Sequence, residues 1–275
     1  IKLPDVEPGG WAFEYANDFY PDTDDTAVAL IALASCRHRP EWKERGVEEA
    51  IARAVRWLVG MQSSCGGWGA FDKDNNKTLL SKIPFCDFGE ALDPPSVDVT
   101  AHILEAFGIL GLPRDLPCIQ RALAYVRAEQ DPQGPWFGRW GVNYVYGTGA
   151  VLPALAAIGE DMTQPYITKA CDWLAAHQQD DGGWGESCAS YMEVSAIGRG
   201  KTTPSQTAWA LMGLIAAARP QDFAAIEKGC RYLIDRQEPD GSWTEEEYTG
   251  TGFPGYGVGQ TIKLDDPALS KRLLQ

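Results

Sequence analysis

Arg53-Ala-Val-Arg-Trp-Leu-Val-Gly-Met-Gln-Ser-Ser-Cys-Gly-Gly-Trp68 is the stretch from which the fold is read. As a pattern it runs basic, small, two residues, aromatic, Leu or Val, three residues, Gln, three residues, Gly, one residue, Trp. The same pattern recurs without a gap at 121–136, 169–184 and 228–243. In each copy the basic and aromatic residues are four apart, on one helix face. The Gln falls near the helix end, and the Gly supplies the left-handed turn that stops the helix. The Trp then folds back from the turn. Such tryptophans either stack on a ligand or tie neighbouring helices together. Four equal copies serve architecture better than they serve a single active site.

A second pattern precedes each copy. Thr26-Ala27, Thr100-Ala101, Gly149-Ala150 and Thr207-Ala208 each open an apolar stretch of helical length, just after Pro21, Pro94-Pro95, Gly147 and Pro204. Each repeat is therefore a helix pair: an apolar inner helix followed by an amphipathic outer one. Repeated helix pairs form an open solenoid or close into an α/α barrel. The glycine-rich turns and large tryptophans favour the barrel. The expected fold is an all-α toroid, with one domain spanning residues 1–275. Because the chain opens Ile-Lys-Leu and stops at Gln275, it reads as an incomplete piece of something longer.

Composition sets outer limits. A chain of 275 residues, 44% hydrophobic and 23% charged, can build a large core. A net charge of −14 argues against a nucleic-acid partner. No apolar run reaches the roughly 18 residues of a membrane span, which leaves peripheral attachment open. Seven scattered cysteines with no CxxC pair read as reduced, mostly buried thiols of a cytosol-facing protein.

The chemistry collects in Pro21-Asp-Thr-Asp-Asp-Thr26 and around His102. Asp24 lies two residues before Thr26, and Asp98 two before Thr100, so they occupy equivalent positions in consecutive repeats. His102 follows Asp98 by four residues, on one helix face. Asp22, Asp24, Asp25, Asp98 and His102 should gather at one barrel end. Acids at a helix start also cap orphan N–H groups, but three in four residues exceed what one cap needs. Crowded carboxylates in a dry pocket do not all ionise. A nearby imidazolium would stabilise a carboxylate once its proton leaves. The set reads as a strong general acid. A metal site is the rival reading, but His38 and His177 sit in outer-helix or loop contexts and no HxxxH occurs.

These segments resemble the squalene–hopene cyclases. The resemblance is carried by Gly9-Gly-Trp-Ala-Phe-Glu-Tyr-Ala-Asn-Asp-Phe-Tyr-Pro-Asp-Thr-Asp-Asp-Thr-Ala27, which looks like that family's DxDD region. Gly66-Gly-Trp-Gly-Ala-Phe-Asp72, Pro84-Phe-Cys-Asp-Phe-Gly-Glu90 and Asp93-Pro-Pro-Ser-Val-Asp-Val-Thr-Ala-His102 are similar too. So are Trp136-Phe-Gly-Arg-Trp-Gly-Val-Asn-Tyr-Val-Tyr-Gly-Thr-Gly149 and Gly250-Thr-Gly-Phe-Pro-Gly255. The four sixteen-residue copies match the family's QW motifs.

The resemblance implies roles. Asp24 matches the acid that protonates the terminal alkene of squalene, with Asp22 and Asp25 flanking it. His102 matches the histidine that strengthens that acid, and Asp98 an acid of the same network. Phe13, Phe71, Trp140, Tyr146 and Phe253 fall on cavity aromatics, and Phe85 and Cys86 on the entrance constriction. Aromatic faces steady cations without capturing them. The implied reaction converts squalene to hopene, with some hopanol, and uses no cofactor. Position 71 is Phe where some relatives carry Tyr. The resemblance also implies an N-terminal barrel domain and a final helix beyond this sequence, so the isolated piece should be nearly inactive. It further implies peripheral attachment at the cytoplasmic face of the bacterial inner membrane, and it leaves a homodimer open. Two rivals remain: a class II cyclase acting on a diterpene diphosphate, and a non-catalytic toroid.

Overall fold

Asp22 starts the first helix. Its backbone is extended, its side-chain oxygen accepts the N–H groups of Asp24 and Asp25, and α1 then runs Thr23–Cys36. A computed structural model describes residues 5–14, 16–17, 19–76, 92–253 and 256–258. After the short α2 (Pro40–Lys43), the chain makes α3 (Val47–Met61), α4 (Val97–Ile109), α5 (Pro117–Ala128), α6 (Tyr144–Ala157), α7 (Pro165–Ala176), α8 (Pro204–Ala217) and α9 (Phe223–Asp235). Helices α5, α7 and α8 begin on proline, whose fixed φ suits a first helical position. Gly111 and Gly159, both left-handed, close α4 and α6. There Leu112 N–H reaches back to Phe107 O, and Glu160 N–H to Leu155 O.

Two compact units divide the chain: residues 1–132 with 150–168, and 133–149 with 169–275. In the first, α1 packs on α3 and α4, and α4 packs on α5. The strands β1 (Trp11–Ala12) and β2 (Pro21–Asp22) pair antiparallel and set Trp11 opposite Asp22. In the second, α8 packs on α9, and β3 (Gly250–Phe253) pairs antiparallel with β4 (Tyr256–Val258). Helix α4 is buried along most of its length, as an inner helix should be. Helices α3 and α9 are amphipathic, as outer ones should be. No helix among the described residues is long and apolar enough to cross a membrane.

The repeated turn acts as a tie. Gln62 Nε2 donates to Gly66 O at 2.8 Å within its own turn, and to Cys118 O at 2.8 Å at the start of α5. Gln178 does the same with Gly182 O (2.8 Å) and Ala225 O (2.7 Å), and Gln130 reaches Tyr166 O at 2.8 Å. The indole N–H groups of Trp68, Trp184 and Trp243 donate back to Leu58, Leu174 and Leu233. Trp68, Trp136 and Trp184 are fully buried. Gly66 and Gly182 are left-handed, and a Cβ there would stand 2.5 Å from Arg121 O and 2.8 Å from Lys228 O. These glycines lie beyond the helix ends, in the turn. Their task is close approach to the next helix, not the helix stop expected from the sequence.

Two further expectations are corrected. The threonines expected to open the inner helices sit one turn inside them. Each hydroxyl accepts the N–H of a turn tryptophan: Trp68 to Thr100 (3.0 Å), Trp136 to Thr148 (3.0 Å) and Trp184 to Thr207 (3.0 Å). The third position is thus Thr148, not Gly149. Gly149 instead lies where a Cβ would come 2.5 Å from Trp209 O. The cysteines are not mostly buried: Cys118 and Cys171 are, Cys36, Cys188 and Cys230 are half-buried, and Cys65 is exposed. All six are free thiols, and Cys86 lies outside the described residues.

A fifth turn completes the pattern. Trp11 N–H donates to Thr26 Oγ1 at 2.8 Å. A Cβ on Gly9 would stand 2.5 Å from Arg53 O, as at Gly66 against Arg121, and one on Gly10 would meet the Trp57 ring.

Candidate active site

The acid site lies in the first unit, where the N-terminal turns of α1 and α4 come together. Asp22 is the cap: its Oδ1 accepts Asp24 N–H at 2.6 Å and Asp25 N–H at 2.9 Å. With the cap supplied by Asp22, the carboxyl of Asp24 is left for other work. Asp24 Oδ1 meets His102 Nδ1 at 2.6 Å, and both side chains keep about a fifth of their surface exposed, at 23% and 20%. Asp98, one turn before His102 on α4, is fully buried. Asp24 and Asp98 are each the second residue of their helix, as the repeat register requires.

The start of α1 is sewn to the loop carrying Phe71. Thr23 N–H donates to Ala70 O at 2.8 Å, and Thr23 Oγ1 to Gly69 O at 2.7 Å. The buried carboxylate of Asp93 takes three backbone N–H groups from the same loop: Ala70 at 3.2 Å, Phe71 at 2.6 Å and Asp72 at 2.7 Å. Asp93 therefore fixes where Phe71 is presented. Its place before Pro94-Pro95 was visible in the sequence, but its three partners were not.

The electrostatics favour a cationic imidazole. Burial pushes His102 down, but the charge and hydrogen bond of Asp24, with the charges of Asp98 and Glu105, outweigh it and raise the ring to about 9. Burial lifts Asp22 to about 7, helped by the charges of Asp25 and Asp24 and opposed by the N–H groups it caps. Asp25 is raised by burial and by Asp24. Asp22 and Asp25 thus hold protons more tightly than ordinary carboxyls do. Among the described residues, no group of three or more His, Cys, Asp and Glu side chains is arranged to hold a metal ion.

The aromatics are distributed as follows. Phe13, after β1, is 76% exposed, and Phe71 is also exposed. Trp140 and Tyr146 belong to the second unit, where Tyr146 packs edge-on against Trp209 with ring centroids 4.7 Å apart. Gly138 and Gly141 make room for the Tyr146 ring, since a Cβ on either would come within 2.6 Å of it. Tyr191 OH donates to the carbonyls of both glycines, at 3.0 and 2.8 Å. The buried Glu186 carboxylate accepts Val145 N–H at 2.8 Å and Gly198 N–H at 3.0 Å. Trp140 has Arg139 over its ring at 5.4 Å, and its carbonyl accepts Thr251 N–H. Phe253 is the last residue of β3. Phe85 and Cys86 lie outside the described residues.

A model of the Squalene-hopene cyclase C-terminal domain family matches residues 1–259. The chain is 56% identical over 263 residues to the squalene–hopene cyclase of Alicyclobacillus acidocaldarius, covering 95% of this chain and 41% of that protein. It is 46% identical over 254 residues to the squalene–hopene cyclase of Zymomonas mobilis, covering 92% and 38%. The chain thus spans about two fifths of the length of these relatives. The type II terpene cyclase MstE from Scytonema superposes with a TM-score of 0.63 at 23% identity, covering 91% of this chain and 65% of that one. These likenesses assign the all-α, α/α-toroid fold class expected from the repeat.

Proposed function

The chain belongs to the squalene–hopene cyclase C-terminal domain family, and from that premise we propose that it carries the proton-donating site of an enzyme that cyclises squalene to hopene, with some hopanol. The observation that supports this most is the 2.6 Å contact between Asp24 and His102. An isolated alkene is a very weak base, so its donor must be unusually acidic and sheltered from water. Asp24 gives its proton to the terminal alkene carbon, leaving a tertiary cation on the adjacent carbon. The imidazolium of His102 stabilises the carboxylate that remains. Successive alkenes then attack the cation and close the rings. Loss of a proton from the last cation gives hopene, and capture of water gives hopanol.

Asp22 and Asp25 complete the acidic rim, and Asp98 backs His102. Aromatic faces can steady the moving cation, each contributing about 0.5–2 kcal/mol. Phe13 and Phe71 of the first unit are candidates for that role, and Trp140, Tyr146, Phe253, Phe85 and Cys86 carry cavity or entrance roles only as the resemblance implies them. The substrate is a water-insoluble hydrocarbon, which suits an enzyme attached to a membrane surface; the cytoplasmic face of the bacterial inner membrane is what the resemblance implies. The rest of the relatives' length supplies the other part of the cavity.

The test uses the complete polypeptide and product analysis with squalene. Asp24→Asn should abolish turnover with helix content unchanged, and hopene formation at the original rate would remove Asp24 from the role. His102→Ala should slow initiation far more than it alters the product mixture.

A further inference from the structure

A general acid must be loaded before it can act. When Asp24 carries its proton it is neutral, and His102 loses the negative charge hydrogen-bonded to it. The imidazolium then needs another counter-charge, or it gives up its own proton and stops assisting. Helix α4 offers two acids on the face of His102: Asp98, four residues before it, and Glu105, three after it. Asp98 is fully buried, and Glu105 is half-buried one turn along α4 from His102.

We propose that Glu105 is a positioning residue that holds His102 in its cationic form while Asp24 carries the proton. The proposal rests on the protonation reading above. Of the elements packed on α4, α1 brings Asp24 to the ring, and α5 brings Tyr125, whose hydroxyl donates to Pro95 O at 2.8 Å. Helix α4 itself adds Asp98 and Glu105. The coupling runs both ways. Burial raises Glu105 above the usual carboxyl range, and the His102 cation pulls it back down. The charge of Glu105 in turn adds to the rise of His102.

The experiment is done on the complete polypeptide. Asp24→Asn replaces the loaded, neutral carboxyl with a neutral amide, so the titration of His102 followed by 15N NMR in that variant reads the state of interest. The expected result is a His102 pKa that stays above its ordinary value in Asp24→Asn. It should fall by about one unit when Glu105→Gln is added and stay up when Glu105→Asp is added instead. Equal His102 titration in all three overturns the proposal. In the otherwise unaltered enzyme, Glu105→Gln should bring the alkaline limb of the pH–rate profile to lower pH, so that turnover falls several-fold more at pH 8 than at pH 6. An even loss at every pH, as a purely structural role gives, overturns it as well. Turnover by Asp24→Asn itself would sink the protonation reading, which separates that failure from the failure of Glu105.

Discussion

Asp22 and His102 pull the stability of the site in the same direction as pH rises. The Asp22 carboxyl titrates near 7 in the fold instead of 3.8, so between those values the unfolded chain sheds its proton first and stability falls as pH rises. His102 titrates near 9 instead of 6.5. Its contribution is complete below about 6.5 and lost as pH passes through 9. Asp22→Asn keeps an oxygen to accept the Asp24 and Asp25 N–H groups and removes the buried charge. It should therefore be more stable than the parent at pH 8, by an amount on the order of a few kcal/mol, with the difference vanishing near pH 4. Urea unfolding at the two pH values checks this, and equal stabilities at pH 8 would count against a strained Asp22. At this scale the sequence was informative about the acids and His102, because helix register places them. It did not reveal that Asp22 takes the cap and leaves Asp24 free to face the ring, nor that Asp93 gathers three N–H groups of the Phe71 loop. The first is a local choice among three neighbouring acids, any of which could cap, and the second needs Asp93 to return to a loop 22 residues before it.

At the scale of the element, the same motif residue carries different weight in different copies. Gln62 is buried and bonded to two carbonyls in different helical segments. Gln62→Ala leaves both acceptors without it in a dry site and should cost about 1–3 kcal/mol. Gln237 is exposed and bonded to Gly241 O at 3.0 Å, so Gln237→Ala should change stability by less than about 0.5 kcal/mol. Equal losses in thermal unfolding would contradict the interlocking role of the turn. The end of α8 offers a gain. Ala218 caps it in the left-handed region, at φ 51°, where Gly111 and Gly159 close α4 and α6. Ala218→Gly should stabilise by about 0.5–1 kcal/mol. The four turns were legible because Gln, Gly and Trp are each required by the geometry. The fifth, at Gly9-Gly-Trp11, was not, because Asp5 stands where the Gln would be and too few residues precede it to display the basic and aromatic positions of the pattern. The register of the third repeat misled for a related reason. Gly149 follows Thr148 and imitates the small residue of the pair, and only the Trp136 hydrogen bond distinguishes them.

For the whole molecule, inner-helix residues Val28 on α1 and Met212 and Ile215 on α8 are exposed, as are the candidate cavity residues Phe13 and Phe71. The 275-residue chain covers only 38–41% of the cyclases it matches, so squalene turnover is expected of the complete polypeptide and not of this chain alone. Hopene made by the isolated chain would refute that. The fold class was readable because a repeat states its geometry several times over, whereas the surroundings of Phe13 and Phe71 were not, because neither residue belongs to the repeated pattern. The central claim is that Asp24 delivers the initiating proton. Its most direct measurement is squalene cyclisation by the complete polypeptide in D2O, because the Asp24 proton exchanges with solvent before each turnover. The predicted hopene carries one deuterium, on the ring carbon that began as the CH of the terminal alkene, and Asp24→Asn yields none of it. Deuterated hopene formed undiminished by a folded Asp24→Asn variant would contradict the account.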